Sequence, residues 1–170
     1  AGAEVELVGM LARELRLKNA LEAVHADYDY IIFDCPPALG LLTINALAAA
    51  DSVLIPVQTE YFALEGVGRL IDTIGRVRKS LNPGLEVEGV VLTMADMRTN
   101  LSRQVSEEIA SYFGDTLFNT VITRNIRLSE APSHGQSIIE YDIGSKGSEA
   151  YLEFAAELLQ RHEGRNIKES

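Results

Sequence analysis

The sequence has no tryptophan, and tyrosine and phenylalanine together supply only 6% of its residues, which leaves no obvious stacking platform for single-stranded nucleic acid. Cys35 is its one cysteine. An intrachain disulfide is therefore impossible, and a four-thiolate zinc or iron–sulfur site cannot be built within one chain. A reducing compartment fits this usage. No apolar run approaches the roughly 20 residues of a membrane-spanning helix, and Ala1 to Met10 carry Glu4 and Glu6 where a signal peptide would be basic. The expectation is a cytoplasmic protein with no membrane partner. Cations are scarce as well: 15 Lys and Arg stand against 25 Asp and Glu, a net charge of −10. That balance opposes generic attraction to nucleic acid or anionic lipid, so any such binding must be local. His25, His134 and His162 show no metal-ligand spacing, and a pairing of Cys35 with His25 or His134 as nucleophile and base has no spacing signal either. Cys35 reads as a small buried hydrophobe.

What the chain does have is 46% hydrophobic residues in 170, enough for one ordinary core. Residues 1–160 are expected to form a single domain and 161–170 a frayed polar tail. From Leu7 to Val24 two sets of apolar residues, Leu7, Leu11, Leu15 and then Leu17, Leu21, Val24, recur at helical spacing with a slip between them, predicting an amphipathic helix. Tyr30 to Phe33 is an unbroken apolar run closed by Asp34 and stopped by Pro36 and Pro37, the pattern of a buried parallel strand. A short helix around Leu42 to Ala49, a strand over Ser52 to Val57 and a long helix with Leu64, Val67, Leu70, Ile71, Ile74 and Val77 on one face follow. After the Asn82-Pro83-Gly84 turn signal come a strand through Val87 to Thr93, a helix that Asn100 can cap running to Phe113, and a short strand over Leu117 to Ile122. Thr123 to Ser145 is polar and irregular, long enough to suggest a functional loop. The last helix is predicted to start near Ser145 or Ser148 and to bury Tyr151, Phe154, Ala155, Leu158 and Leu159. Strands alternating with helices imply the α/β class, a mostly parallel sheet flanked by helices.

In such sheets ligands sit beyond the carboxyl ends of the strands, where Asp34 falls. An acid there can hold Mg²⁺ through its water shell, and Tyr30 to Asp34 has the form of a Walker B element, although an Asp closing a strand is also a common turn former. The run Asp34-Cys35-Pro36-Pro37-Ala38-Leu39-Gly40 continues into Leu41-Leu42-Thr43-Ile44-Asn45-Ala46-Leu47. Here the sequence resembles the ParA/Soj chromosome- and plasmid-partitioning ATPases, a deviant-Walker branch of the P-loop class. The resemblance extends through Ile55-Pro56-Val57-Gln58, Tyr61 to Gly66, Leu92-Thr93-Met94, Arg98 to Leu101 and Arg124 to Gly135.

The resemblance implies a P-loop-type fold, ATP and Mg²⁺ as cofactors, an ATP-switched homodimer, non-specific DNA as cargo and a ParB-type partner protein that triggers hydrolysis, in a nucleoid-associated cytoplasmic protein. Residue by residue, Asp34 matches the acid that contacts Mg²⁺ through water. Thr93 and Met94 match positions lining the adenine pocket, and Arg124 and Asn125 the segment that wraps the base, with Thr123 where the family usually has proline. Arg98 and Arg127 match two DNA-holding arginines; residues 98 to 127 carry a net +1, leaving −11 for the rest. No G-x-x-x-x-G-K-[ST] loop occurs anywhere in the sequence. The expectation is therefore the carboxyl-terminal part of such an ATPase, incomplete at the amino terminus and inactive alone. Its sheet should be rearranged, or the chain self-associated, where the Walker A strand is missing. The alternative is a non-catalytic α/β module that binds DNA or a partner without nucleotide control.

Overall fold

The computed structural model describes residues 2–36 and 40–166, which fall into two compact units: Ala1–Val53 with Gly66–Glu88, and Leu54–Glu65 with Gly89–Ser170. Pro37, Ala38, Leu39 and the tail residues 167–170 lie outside the described residues.

In the first unit, the helix expected over Leu7 to Val24 is broken. Helix α1 (Gly2–Val8) ends just before Gly9, Ala12 takes a left-handed φ of 51°, and a 3-10 turn at Arg13–Leu15 leads into α2 (Arg16–Leu21). The break coincides with the slip in the apolar pattern. One straight helix cannot turn both sets of leucines to the same face, and Leu11, at the junction, is left 93% exposed. Helix α3 (Leu41–Ala49) organises what surrounds it through one buried side chain, Asn45. Its Nδ2 donates to the Arg13 carbonyl at 2.8 Å and to the Leu41 carbonyl at 3.0 Å, and its Oδ1 accepts from the Leu17 N–H at 3.1 Å. The Glu4 carboxylate accepts from the Leu41 N–H at 3.0 Å, where the helix has an unpaired donor and favours negative charge. At the other end, Asn82 from the predicted turn donates to the carbonyls of Leu47 and Ala50.

The strand expected at Tyr30 to Phe33 does not form. Residues 30–36 belong to no strand, Ile32 is 88% exposed, and Asp34 and Cys35 are exposed rather than closing a buried strand. An apolar run becomes a strand only where a neighbour supplies a hydrogen-bond ladder, and among the described residues no strand lies beside it. Cys35 is accordingly not the buried hydrophobe expected. Partial desolvation and the Asp34 charge push its thiol above the usual range, away from nucleophilic thiolate chemistry.

The α/β class holds. Among the described residues a three-stranded sheet runs in the order β1 (Ser52–Gln58), β2 (Glu86–Ala95), β3 (Leu117–Thr123), with β2 and β3 parallel. Helix α4 (Ala63–Ser80) connects the first two strands and α5 (Asn100–Phe113) precedes the third. Residues Glu88 to Leu92 of β2 are buried without a break, as expected of a strand covered on both faces. Gly89 lies at a close approach: a Cβ there would sit 2.9 Å from the Thr116 carbonyl and against the Phe118 ring. Thr123 to Ser145, expected to be irregular, contains α6 (Ile126–Glu130), a 3-10 turn at Ala131–His134 and α7 (Ile138–Tyr141), the last held by a Ser137/Glu140 capping box.

Helix α8 (Lys146–Asn166) packs on β3 through Ala150, Phe154 and Leu158, around Val91, Phe118 and Ile122. Tyr151, Ala155 and Leu159, expected to be buried, face outward: Tyr151 is 42% and Leu159 47% exposed, because the helix covers one narrow strip. It also runs on to Asn166, past residue 161 where a tail is expected, and Arg161 finds the Leu117 carbonyl at 2.7 Å and the Phe118 ring at 3.9 Å.

The strand register explains why α8 carries an acid on this side. Val90 lies opposite Leu117 and Leu92 opposite Val121, so two residues of β2 face four of β3, and Asn119 and Thr120 bulge from the ladder. Glu157 gathers their donors: Oε1 takes the Asn119 N–H at 2.8 Å and Oε2 the Thr120 N–H at 2.9 Å and its hydroxyl at 2.7 Å, with Arg161 at 2.9 Å. Desolvation raises the carboxyl pKa, but the amides, hydroxyl and guanidinium outweigh it and hold it at about 2. With the folded value below the unfolded one, the stabilisation is complete above about pH 4.5 and is lost as pH falls toward 2. Glu157→Ala should cost about 2 kcal/mol in urea denaturation at neutral pH, from two orphaned amides and a charge-assisted set of bonds. The deficit relative to wild type should shrink as the pH is lowered toward 2. An unchanged deficit there would mean that the ionised carboxylate is not what holds the bulge.

Candidate functional site

Six of the seven residues singled out in the sequence lie in the second unit, at the carboxyl ends of β2 and β3, where ligands gather in α/β sheets. The register shifts again there. Leu92 is opposite Val121 and Ala95 opposite Thr123, so the extra residue now lies on β2. Met94 absorbs it with a left-handed φ of 51°, a conformation that costs a side-chain-bearing residue about 1 kcal/mol. Immediately beyond, the Arg124 N–H donates to the Ala95 carbonyl at 3.0 Å. That bond brings the Thr93–Met94 pair and the Arg124–Asn125 pair to neighbouring strand ends. Thr93 and Met94 are half-buried and Arg124 is exposed. Asn125 caps α6, its Oδ1 accepting from the Arg127 N–H at 2.8 Å.

Both arginines expected to meet DNA are present on this side, and both are engaged. Arg98 Nε donates to Asp96 Oδ1 at 2.8 Å and its NH2 to Oδ2 at 2.7 Å, while its backbone N–H also reaches Oδ1. The hydrogen bond to Arg98 holds the Asp96 carboxyl well down, at about 2. Arg127 meets Glu130 at 3.0 Å and Asp142 at 3.5 Å, and the Tyr141 hydroxyl donates to the same Glu130 oxygen that faces Arg127. Its pKa is raised by Glu130 first and then Tyr141. Two of the four arginines of the locally basic face expected from residues 98 to 127, Arg98 and Arg127, are therefore countered by carboxylates. Sequence reading missed Asp96, although the Asp-x-Arg spacing at 96 and 98 is a turn signal that could have marked it. It also assigned the cap of α5 to Asn100; the structure gives it to Thr99, whose hydroxyl accepts from Ser102 N–H. Ser102 in turn shares a buried 2.7 Å hydroxyl–hydroxyl hydrogen bond with Thr59, at the end of β1.

Asp34 lies in the first unit, exposed. No group of three or more potential metal-ligating side chains occurs among the described residues. No helix among them is long and apolar enough to cross a membrane.

A parallel sheet flanked by helices, with candidate ligand residues at its carboxyl edge, is an α/β architecture, and its likeness to solved nucleotide-binding structures makes the fold P-loop NTPase-like. A family model described as an AAA domain matches residues 1–87. The sporulation initiation inhibitor protein Soj of Bacillus subtilis is 63% identical over 158 residues, 93% of this chain and 62% of that protein. The chromosome partitioning protein ParA of Myxococcus xanthus is 58% identical over 160 residues, 94% of this chain and 56% of that one. Among solved structures, a cobyrinic acid a,c-diamide synthase from Mycobacterium smegmatis with bound ADP and magnesium superposes with a TM-score of 0.76 at 37% identity, over 95% of this chain and 59% of its own. The chain belongs to the Soj/ParA family of chromosome-partitioning proteins. It spans about three fifths of the length of these relatives.

Replacing Asn125 by Ala should lower stability by about 1 kcal/mol through loss of the α6 cap, whereas Asn125→Asp, which keeps an acceptor, should cost little. Equal losses in urea denaturation would show that Asn125 supplies something other than a cap.

Proposed function

We propose that this chain carries the base-binding and DNA-holding face of a chromosome- or plasmid-segregating ATPase, in which ATP and Mg²⁺ join two protomers, the dimer holds DNA of any sequence, and a ParB-type partner triggers hydrolysis. The observation that carries the reading is the juxtaposition of Thr93 and Met94 with Arg124 and Asn125 through the Ala95–Arg124 hydrogen bond, flanked by Arg98 and Arg127. A half-buried threonine and methionine offer a polar and an apolar contact to a planar base, and Arg124 offers a guanidinium face for stacking. Asp34 fits a water-mediated role at Mg²⁺, the ion that would neutralise charge on the transferred phosphoryl group. These residues fit the base better than the triphosphate, since the sequence has no glycine-rich lysine loop to cradle phosphates.

Two outcomes follow. The 170-residue chain by itself should hydrolyse no ATP above background, because the N–H cradle and lysine that stabilise the transferring phosphoryl group are not in it. Magnesium-dependent turnover that disappears in Asp34→Ala would overturn this. In titrations of unrelated duplexes with ATP and Mg²⁺ present, Arg98→Glu and Arg127→Glu should each weaken binding and flatten the log–log salt dependence by about 0.9 for each phosphate no longer neutralised. DNA binding indifferent to nucleotide but sensitive to both arginines would favour a binding module without nucleotide control. Insensitivity to both would remove the DNA assignment.

A further inference from the structure

We infer that Asp96, and Glu130 with Asp142, act as built-in phosphate mimics that occupy the two DNA-facing arginines and set how tightly this surface binds DNA; the inference rests on the DNA reading above. The Asp96 carboxylate fills the Nε–NH2 edge of Arg98 with two parallel bonds, at 2.8 and 2.7 Å, the edge and geometry by which a guanidinium takes a phosphate bidentately. Arg98 is otherwise turned to solvent, its side chain 90% exposed against 27% for Asp96. The acid is fixed and the arginine is the part able to swing away. Asp96 is fixed because Oδ1 also accepts from the Arg98 N–H and its carbonyl from the Thr99 hydroxyl and N–H, which builds the turn into α5. Arg127 repeats the arrangement with different parts. Glu130 lies one helical turn along α6 and is held by the Tyr141 hydroxyl, and Asp142 approaches from the end of α7.

The charge follows from the pairing. Arg98 pairs with Asp96, and Arg127 with Glu130 and Asp142, two cations against three anions, so this group of five carries a net charge of −1. A phosphate arriving at the Nε–NH2 edge of Arg98 must displace the Asp96 carboxylate, and at either arginine it meets a charge that an acid already counters, so it gains only the difference between the two anions. Solvent-exposed ion pairs are weak and screened by salt, so the acids lower the affinity without abolishing it. A single isolated phosphate competes poorly. A duplex, with many phosphates in register and condensed counterions to release, competes well.

The test is a double-variant titration of the protein with a duplex of arbitrary sequence at several salt concentrations. Asp96→Asn keeps an oxygen to accept the Arg98 N–H but gives up the charge. It should tighten binding about two- to fivefold, the range expected for releasing an exposed ion pair, and the gain should vanish in Arg98→Ala. Asp142→Asn combined with Glu130→Gln should behave likewise, with its gain vanishing in Arg127→Ala. A gain that persists in the arginine-less backgrounds means that only general charge repulsion was removed, and overturns the inference. So does unchanged or weaker binding of both acid variants. If Arg98→Glu weakens binding while the acid variants gain nothing, the inference fails and the DNA reading stands. If neither Arg98→Glu nor Arg127→Glu changes affinity, both fall together.

Discussion

The second unit depends on one carboxylate. Without Glu157 the bulged amides of Asn119 and Thr120 would have no acceptor among the strands, and the two extra residues that β3 carries beside β2 would be held less firmly. Those residues set where β3 ends relative to β2, and so which side chains meet beyond the sheet. Phe118, one step before the bulge, is almost fully buried under Phe154 and beneath the Arg161 guanidinium, so helix α8 fixes the bulge from both its polar and its apolar side. The helix is tied to the strand first, and the strand end becomes a site second.

The two irregularities of the ladder work against each other. The first inserts residues on β3 and the second inserts one on β2, so the strand ends come back toward alignment at Ala95 and Thr123. Met94 takes the cost of the correction as backbone strain, at a position matched by resemblance to the base pocket. Strain at such a place is tolerated when the surroundings over-determine it. Here they do: Ala95 is buried and its carbonyl is bonded to Arg124 N–H.

The legible parts of the sequence were those written in local pattern. Strand β2 follows a turn signal and carries the apolar run Val90-Val91-Leu92, α4 has a clear amphipathic stripe, and Asn82-Pro83-Gly84 is a turn whose asparagine does close the end of α3. The site residues at Thr93, Met94, Arg124 and Asn125 came from resemblance. Their proximity was hidden because it hangs on a cross-strand bond and on two register shifts, which no local period reveals. Tyr30 to Phe33 had the composition of a strand, but composition cannot supply the neighbour that a strand requires. On α8 the period was right and the width of the buried strip was not, since a helix lying on one face of a sheet covers less of itself than one buried between layers. Asp96 was overlooked because a charged residue in a turn is read as solvated, although its spacing from Arg98 closes both a turn and an ion pair.

Asn45 gives the first unit a property that its chain path alone would deny it. The polypeptide passes from α2 to α3 through a stretch around Ile31 to Pro36 that joins no strand and exposes Ile32. Such a stretch is where a protease would reach first. Yet Asn45 grips the Arg13 carbonyl and the Leu17 N–H, and Glu4 grips the Leu41 N–H, from opposite sides of that stretch. A chain nicked there would still be held across the cut by these bonds, two pieces on a denaturing gel and one particle on a sizing column.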